Sequence, residues 1–355
     1  VLGEIFDVKK VPFIFIIDEW DCVFRVHKNN MDSQTKYLNF LRNLLKDQSY
    51  VALAYMTGIL PIKKYGEHSA INVFYEYSMI DAEPISEFTG FTGEEVKLLC
   101  EKYDKPFEEM KRWYDGYNLN GISIYNPKSV VESILRGQFN NYWTSTETYE
   151  ALKVYIEMNF DGLKDTIIEL LAGQKAVIDT TTFSNDMVTF ETKDDILTLL
   201  VHLGYLTYDF YTKEVSIPNY EISEQFASTI KVMGWSEVAN SLKLSDELLK
   251  STLNCDAEKV AELIDKAHSE NTSILKYNDE NSLSCVISLA YYSARKIYTI
   301  ERELPAGKGY ADLIFQPRKN NSNPAIIVEL KYDKTVVGAI QQIKEKQYSD
   351  CLKDY

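Results

Sequence analysis

The sequence predicts an α/β protein, with two α/β regions separated by a mainly helical middle. Two continuous apolar runs near the N-terminus, Val11–Ile17 and Tyr50–Met56, flank a segment with helical spacing. Because both runs are apolar on both faces, they predict parallel strands buried under helices. Residues 150–245 are mostly helical in pattern, and the strand-like runs Tyr310–Phe315 and Ala325–Lys331 follow. These observations predict a second sheet near the C-terminus.

Composition narrows the class of protein. The chain has 355 residues, 45% hydrophobic and 26% charged, which is a globular balance with room for two or three domains. No apolar run reaches 18 residues, so no transmembrane helix, signal peptide or membrane partner is expected. Five dispersed cysteines predict reduced thiols and a cytoplasmic location. The net charge of −15 argues against non-specific coating of nucleic acid, but it does not exclude a nuclease.

Several further segments predict individual helices. Helical spacing or a helix-start signal marks each of Thr92–Tyr103, Lys128–Leu135 (after Asn126-Pro127), Asp246–Glu270, Leu283–Ile297 and Val336–Tyr348. These helices connect the strands of the two predicted sheets.

The middle region contains a helix followed by a hairpin. Asp194–Leu203 is helical and meets Gly204, a residue typical of helix ends. Tyr205–Tyr211 and Glu214–Ile217 then predict two strands around Thr212-Lys213. This order is typical of a winged helix. A helical connector with a small ribbon is the alternative, and packing against its own domain is favoured over reading DNA.

The C-terminal region carries the pattern with the clearest chemistry. In a strand Glu329 and Lys331 point to the same side, and Asp312 lies in the strand-like run before them. Two carboxylates can hold Mg²⁺ or Mn²⁺ with water and a phosphate oxygen. Lys331 could position or deprotonate the water, or neutralise the phosphate. The alternative is a surface cross-strand pair without chemistry. Glu280 and Gln342, on flanking helices, complete the candidate set.

A second acidic pattern ends the first N-terminal strand. An apolar run followed by Asp18-Glu19 is a Walker B arrangement, in which Asp18 would hold Mg²⁺ and Glu19 would polarise the hydrolytic water. Thr57, at the end of the neighbouring strand, stands where such ATPases place a γ-phosphate sensor. A helix-capping Asp is the plain alternative.

Four C-terminal segments resemble the PD-(D/E)xK nuclease superfamily, and more narrowly the nuclease domain fused to AAA-ATPase-like proteins of bacteria. They are Tyr277–Leu283, Arg302–Asp312, Val328–Lys331 and Ala339–Tyr348. The resemblance implies a restriction-endonuclease-like α/β domain. Asp312 and Glu329 would be its metal ligands, Lys331 its catalytic lysine, Glu280 its helix acid and Gln342 its helix-borne polar partner. Glu303 is a second candidate for the third acid.

The N-terminal part is similar to the same AAA-ATPase-like proteins. The similarity is carried by Ile16–Asp21, Met56–Ile62, Phe88–Thr92, Trp113–Tyr117 and Tyr125–Pro127. It implies a partial P-loop NTPase-like parallel sheet that uses ATP. The phosphate-binding sequence G-x-x-x-x-G-K-[ST] is absent from all 355 residues, so this chain should bind and hydrolyse ATP poorly. We expect an internal piece that starts after that loop and stops before the last nuclease strand.

These patterns together predict three domains and one activity. Residues 1–145 would be AAA-ATPase-like, 146–245 helical and winged-helix-like, and 246–355 nuclease-like. The expected function is that of a bacterial ATPase–nuclease fusion that hydrolyses nucleic acid, with DNA favoured, and that can form a homo-oligomer. The alternative is a catalytically inactive, nucleotide-gated module that binds nucleic acid or serves as a scaffold.

Overall fold

The computed structural model describes residues 1–27, 30–59, 74–143, 162–183, 190–233, 236–271, 280–306, 309–318, 321–331 and 336–352. By internal contacts the chain divides into two compact units. The first comprises residues 1–161 and 177–222, and the second comprises residues 162–176 and 223–355. The domain boundaries predicted from the sequence stay predictions, because contacts group residues by compactness rather than by module.

The α-helices of the described residues are α1 (Leu2–Lys9), α2 (Cys22–Val26), α3 (Met31–Leu45), α4 (Gly93–Tyr103), α5 (Phe107–Tyr114), α6 (Pro127–Arg136), α7 (Leu163–Leu171), α8 (Lys193–His202), α9 (Tyr220–Met233), α10 (Ser236–Leu253), α11 (Ala257–Asn271), α12 (Glu280–Ala290) and α13 (Val336–Glu345). The strands are β1 (Phe13–Ile17), β2 (Val51–Met56), β3 (Phe91–Thr92), β4 (Tyr117–Leu119), β5 (Ile122–Tyr125), β6 (Ala176–Val177), β7 (Thr207–Asp209), β8 (Glu214–Ser216), β9 (Tyr298–Ala306), β10 (Gly309–Pro317) and β11 (Ile326–Val328). Short 3₁₀ turns lie at Ser86–Phe88, Tyr292–Lys296 and Tyr348–Leu352.

The predicted parallel pair at the N-terminus is confirmed. β1 and β2 run parallel, and Phe15 to Ile17 of β1 pair with Ala54 to Met56 of β2. A core cluster of Trp20, Phe24 and Leu41, from the α2–α3 region, packs against Ile17 and Met56. The loops after both strands therefore meet at one edge of this sheet. As described, this sheet has two strands.

The prediction that helices bury both faces of this pair is wrong for the described residues. Inward residues alternate with outward ones, and Ile14, Ile16, Leu53 and Tyr55 are 64%, 77%, 57% and 54% exposed. A continuous apolar run predicts that both faces prefer burial, but it does not say which elements cover them. In the described residues only the face toward Trp20, Phe24 and Leu41 has a core cluster.

Local start signals placed two helices of the first unit correctly. Thr92 caps α4 in a reciprocal capping box with Glu95, and Asn126 caps α6 by accepting the Ser129 N–H at 3.1 Å. These helices pack around buried Val96 and Tyr114. Beside them β3, β5 and β4 form an antiparallel sheet in that order.

The predicted helix and hairpin of the middle region are also confirmed. α8 is followed by Gly204 at φ +78°, and β7 pairs antiparallel with β8 across a turn in which Lys213 has φ +60°. α8 is buried at every position from Asp195 to His202. A helix buried from Asp195 to His202 offers no exposed face there for reading DNA.

The second unit joins helices to an antiparallel sheet with the order β11-β10-β9. β10 is central, and its Leu313, Ile314 and Phe315 are fully buried. The helix predicted at Asp246–Glu270 is instead two helices, α10 and α11, because the chain turns at Cys255 with φ +56°. Among the described residues, no helix combines the length and apolar character needed to cross a bilayer.

Three predicted elements near the C-terminus end earlier than expected. α12 stops at Ala290 and a 3₁₀ turn replaces its predicted continuation. β11 stops at Val328, so Glu329 and Lys331 lie just beyond the strand rather than within it. α13 stops at Glu345, and Tyr348 begins a separate 3₁₀ turn. The apolar periodicity of the sequence continues past the points where α12, β11 and α13 end. For this reason it predicted longer elements than the structure has.

Candidate active site

The register of the C-terminal sheet sets three acidic residues in one row. Ala311 pairs with Leu304 and Leu313 pairs with Arg302, so Asp312 of β10 stands opposite Glu303 of β9. On the other side Leu313 pairs with Val328, and one more step of that register sets Asp312 opposite Glu329. Residues opposite each other in an antiparallel sheet share a face. The sheet therefore brings Asp312 and Glu329 to one side of neighbouring segments and sets Glu303 opposite Asp312, where the left-handed backbone of Glu303 interrupts the regular alternation of β9.

A side-chain hydrogen bond ties Asp312 to the segment after β11. The Leu330 N–H donates to Asp312 Oδ2 at 2.6 Å, and Leu330 itself is 7% exposed. The bond fixes the backbone between Glu329 and Lys331 against the β10 carboxylate. Asp312 and Glu329, predicted as partners, are thus held side by side.

Glu329 and Lys331 form a buried ion pair. Lys331 Nζ lies 2.6 Å from Glu329 Oε1, and the two side chains are 15% and 2% exposed. The pair confirms that both side chains point the same way, although both residues lie beyond β11. A surface pair would leave both groups in water, whereas this carboxylate is almost fully desolvated. Burying an ion pair costs solvation free energy and is weak evidence for a stabilising role.

Gln342 of α13 joins the same carboxylate. Its Nε2 donates a short hydrogen bond to Glu329 Oε1 and a second hydrogen bond, at 3.0 Å, to the Tyr348 hydroxyl. Glu329 Oε1 therefore accepts from both an ammonium and an amide. The structure brings together Asp312, Glu329, Lys331 and Gln342, the sequence-predicted residues of this region whose side chains are described.

Glu280 and Glu303 are the two candidates for the third acid, and the structure describes the side chain of Glu303 only. Glu280 begins α12, and its side chain lies outside the described residues. Glu303 lies opposite Asp312, is exposed, and has φ +49°, a left-handed conformation that non-glycine residues seldom adopt in a strand. Within the described part of the chain, no three His, Cys, Asp or Glu side chains are grouped to hold a metal. The choice between Glu280 and Glu303 stays a prediction.

The N-terminal acidic cluster lies where β1 and β2 end. The Thr57 hydroxyl donates a short hydrogen bond to Asp18 Oδ1, which also accepts the Glu19 N–H at 3.0 Å. Glu19, at φ +51°, reaches Arg25 instead, with 3.2 Å between Oε2 and Nη2. The structure thus joins Asp18 to Thr57 and directs the Glu19 carboxylate to a cation that the sequence had not suggested.

Asp21 is a buried member of this region that sequence reasoning missed. Its side chain is fully buried, lies 3.2 Å from Arg25 Nε and accepts the Ile59 N–H at 3.2 Å. The signal was present, because Asp21, the N-cap of α2, and Arg25 within α2 are four residues apart. Gly58 packs so closely that an added Cβ would lie 2.5 Å from the Trp20 ring. Asp21 therefore anchors the turn that carries Thr57.

Comparison with known families agrees with the C-terminal geometry. Residues 278–354 match a family model described as the PD-(D/E)XK nuclease superfamily. This segment, which contains Asp312, Glu329, Lys331 and Gln342, is thus a domain of that superfamily. The match does not extend to the N-terminal residues, so the ATPase-like half stays a prediction.

One curated relative is an uncharacterized protein encoded in the vnfD 5′ region of Azotobacter chroococcum mcd 1. It is 26% identical over 141 residues, which is 38% of this chain and 27% of that protein. The chain therefore spans little more than a quarter of the relative that it matches. No solved structure matches the chain significantly.

Proposed function

We propose that the C-terminal domain hydrolyses nucleic-acid phosphodiesters, with DNA the favoured substrate, and that it depends on Mg²⁺ or Mn²⁺. The observation that carries this proposal is the buried Lys331–Glu329 pair held against Asp312. Superfamily membership of residues 278–354 supports a nuclease as the class of enzyme. A buried carboxylate–ammonium pair contributes little net stability, because desolvating both charges costs free energy. Beside a second carboxylate, such a pair is suited to phosphoryl chemistry.

The donor set fits a hard divalent cation. Asp312 and Glu329 supply carboxylate oxygens from adjacent segments, and Leu330, whose N–H donates to Asp312, follows Glu329 directly and adds a backbone carbonyl to the possible donors. Mg²⁺ in nuclease-type sites often takes only one or two protein carboxylates and completes its shell with water and substrate phosphate oxygens. A bound metal would supply an activated water and would stabilise charge on the phosphate.

The remaining side chains have separate proposed roles. Lys331 Nζ would hold the attacking water or the phosphate oxygens, since an ammonium donates but does not accept. Gln342 would keep the Glu329 carboxylate oriented, because its amide donates to Oε1. Glu280 or Glu303 would complete the site with a third carboxylate.

The decisive experiment compares matched substitutions in nuclease assays with Mg²⁺ and Mn²⁺. Asp312→Asn and Lys331→Met should each lower cleavage by about 100-fold or more, since each removes a charge and retains shape. Asp265→Asn and Lys266→Met, neighbouring exposed positions on α11, should cleave like the parent chain. Parent-like cleavage by Asp312→Asn would refute the assignment.

The alternative is a catalytically inactive module that uses a nuclease-like fold to bind nucleic acid or to serve as a scaffold. Calorimetry with Mn²⁺ separates the two. A catalytic site should bind the metal, and Asp312→Asn should weaken that binding. Absence of metal binding together with retained binding of DNA would favour the inactive module.

For the N-terminal half we propose a nucleotide-associated Mg²⁺ site that requires the missing phosphate loop. The bond from Thr57 to Asp18, at the carboxyl ends of two parallel strands, supports this proposal. In this assignment Asp18 would hold Mg²⁺, Thr57 would sense the γ-phosphate of ATP, and Glu19 would leave Arg25 to orient the hydrolytic water.

A further inference from the structure

Tyr348 is a buried tyrosine whose hydroxyl reaches the nuclease-like site. It begins the 3₁₀ turn after α13 and is 1% exposed. Its ring packs with two buried residues of β10, Ala311 directly before Asp312 and Ile314 two residues after it. The ring alone would serve this apolar core. The hydroxyl therefore calls for a separate explanation, because a buried hydroxyl must find polar partners.

The partner is the Gln342 amide, whose orientation the chemistry determines. A carboxylate can only accept hydrogen bonds, so the amide nitrogen, and not the oxygen, must face Glu329. The same nitrogen donates to the Tyr348 hydroxyl at 3.0 Å. Both hydrogens of Nε2 are thereby assigned, one to Glu329 and one to Tyr348. Two bonds from one nitrogen fix the plane of the amide.

The hydroxyl also lies close to the sheet. A Cβ built on Gly309, the first residue of β10, would lie 3.2 Å from the Tyr348 hydroxyl oxygen and 3.3 Å from Cε1 of its ring. An alanine at position 309 would therefore push Tyr348 away by a few tenths of an ångström. The Tyr348 hydroxyl thus packs against the start of the strand that carries Asp312.

We propose that Tyr348 is a positioning residue of the nuclease site, which holds the Gln342 amide so that this amide orients Glu329. The inference rests on the proposed function, because it assigns a role within that site. Glutamine has three rotatable side-chain bonds, and one hydrogen bond to Glu329 leaves it free to swing. The Tyr348 hydroxyl removes that freedom. Its loss should affect the reaction rate more than substrate binding.

The test compares Tyr348→Phe with Tyr298→Phe in the same chain. Tyr298 is also fully buried, and its hydroxyl donates to the Pro324 carbonyl at 2.8 Å, so its variant loses a similar bond elsewhere. Tyr348→Phe should lower kcat by about 10-fold with KM for DNA unchanged, because it frees Gln342, the outer partner of the proposed metal ligand Glu329. Tyr298→Phe should keep the parent kcat. Equal kcat for Tyr348→Phe and Tyr298→Phe would overturn the proposal.

A double substitution tests whether Tyr348 acts through Gln342. Tyr348→Phe combined with Gln342→Ala should cleave no more slowly than Gln342→Ala alone, because residues that act as one unit are not additive. If the fold losses of the two single variants multiply in the double variant, the proposal is overturned. If Tyr348→Phe folds poorly, Gly309→Ala presses on the same hydroxyl and should also lower kcat. A parent-like kcat for Gly309→Ala would count against the role.

Urea unfolding, which does not depend on nuclease activity, separates this inference from the proposed function. If the parent chain cleaves no nucleic acid with either metal, the proposed function fails, while urea unfolding of the same variants still tests the contact. Tyr348→Phe and Gln342→Ala should then show coupled, non-additive changes in midpoint. Additive changes would overturn the Tyr348–Gln342 contact itself.

Discussion

At the residue scale, the burial of Glu329 is the feature with the strongest consequences. Its side chain is 2% exposed and its charge is balanced by Lys331 at 2.6 Å. Desolvating both groups costs several kcal/mol per ion, and good geometry only partly offsets that cost. A protein under selection for stability alone would gain from apolar residues here. The pair is therefore better explained by chemistry than by folding.

This burial predicts how stability responds when the pair is broken. Lys331→Met should destabilise the chain by about 3 kcal/mol, because it leaves Glu329 buried without its cation. Adding Glu329→Gln should recover much of that loss while leaving cleavage abolished. Urea unfolding measures both values. Lys259→Met, which breaks an exposed pair with Glu262, is the control and should leave stability nearly unchanged.

His202 supplies a prediction for pH dependence. Burial on α8 against Phe183 disfavours the imidazolium and lowers the pKa of His202 to about 4, from 6.5. Because the pKa of His202 is lower in the folded chain, the unfolded chain binds a proton at His202 first as pH falls. The stability that neutral His202 contributes above pH 6.5 is therefore lost as pH falls toward 4. Between pH 7 and pH 5 this should cost about 2 kcal/mol.

The measurement is urea unfolding at both pH values. His202→Gln should lose this part of the pH dependence, whereas His27→Gln, at an exposed position, should keep it. The difference between variants removes the contribution of the carboxylates. An unchanged pH dependence in His202→Gln would contradict the assignment to His202.

At the element scale, local signals determined where several helices begin but not where longer elements end. Thr92 and Asn126 are capping residues whose hydrogen bonds stay within one turn, so sequence predicted α4 and α6 well. β11 ends at Val328, and just beyond it Leu330 donates its N–H to the Asp312 side chain, a partner 18 residues away. Such an end depends on tertiary contacts and is invisible to a periodicity argument.

The turn from α8 to β7 gives a prediction at this scale. Gly204 has φ +78°, and a Cβ there would lie 2.8 Å from the Trp143 ring. Gly121 has φ +87° with open space around its Cβ position. Gly121→Ala should therefore cost about 1 kcal/mol from backbone strain alone, and Gly204→Ala should cost more. Thermal unfolding of the two variants compares them, and equal losses would contradict the packing argument.

At the scale of the whole molecule, the two proposed sites differ in their support. Residues 278–354 match the PD-(D/E)XK nuclease superfamily, whereas the proposed nucleotide site rests on the Asp18–Thr57 contact beside the parallel pair. In P-loop proteins phosphate binding depends on backbone N–H groups of the phosphate-binding loop at a helix N-terminus. The loop sequence is absent from the 355 residues, and one Asp with one Thr does not replace those donors.

The two proposed activities should therefore separate in experiments on this chain. Metal-dependent cleavage should persist without nucleotide, while calorimetry with MgATP should show no saturable binding to the parent chain. Asp18→Asn should leave cleavage unchanged. Tight MgATP binding that Asp18→Asn abolishes would contradict the need for the missing loop.

The sequence by itself determined which residues could carry chemistry and in which order they follow one another along the chain. Alternation placed Glu329 and Lys331 on one side, and the residue types named Asp312 and Gln342 as partners, because these patterns are local. Only the tertiary structure decided that the Glu329 side chain is buried, that Glu303 stands opposite Asp312, and that the Gln342 amide donates to the Tyr348 hydroxyl. The physical reason is that burial, register and hydrogen-bond direction arise between segments distant in sequence, where the pattern within one segment carries no information.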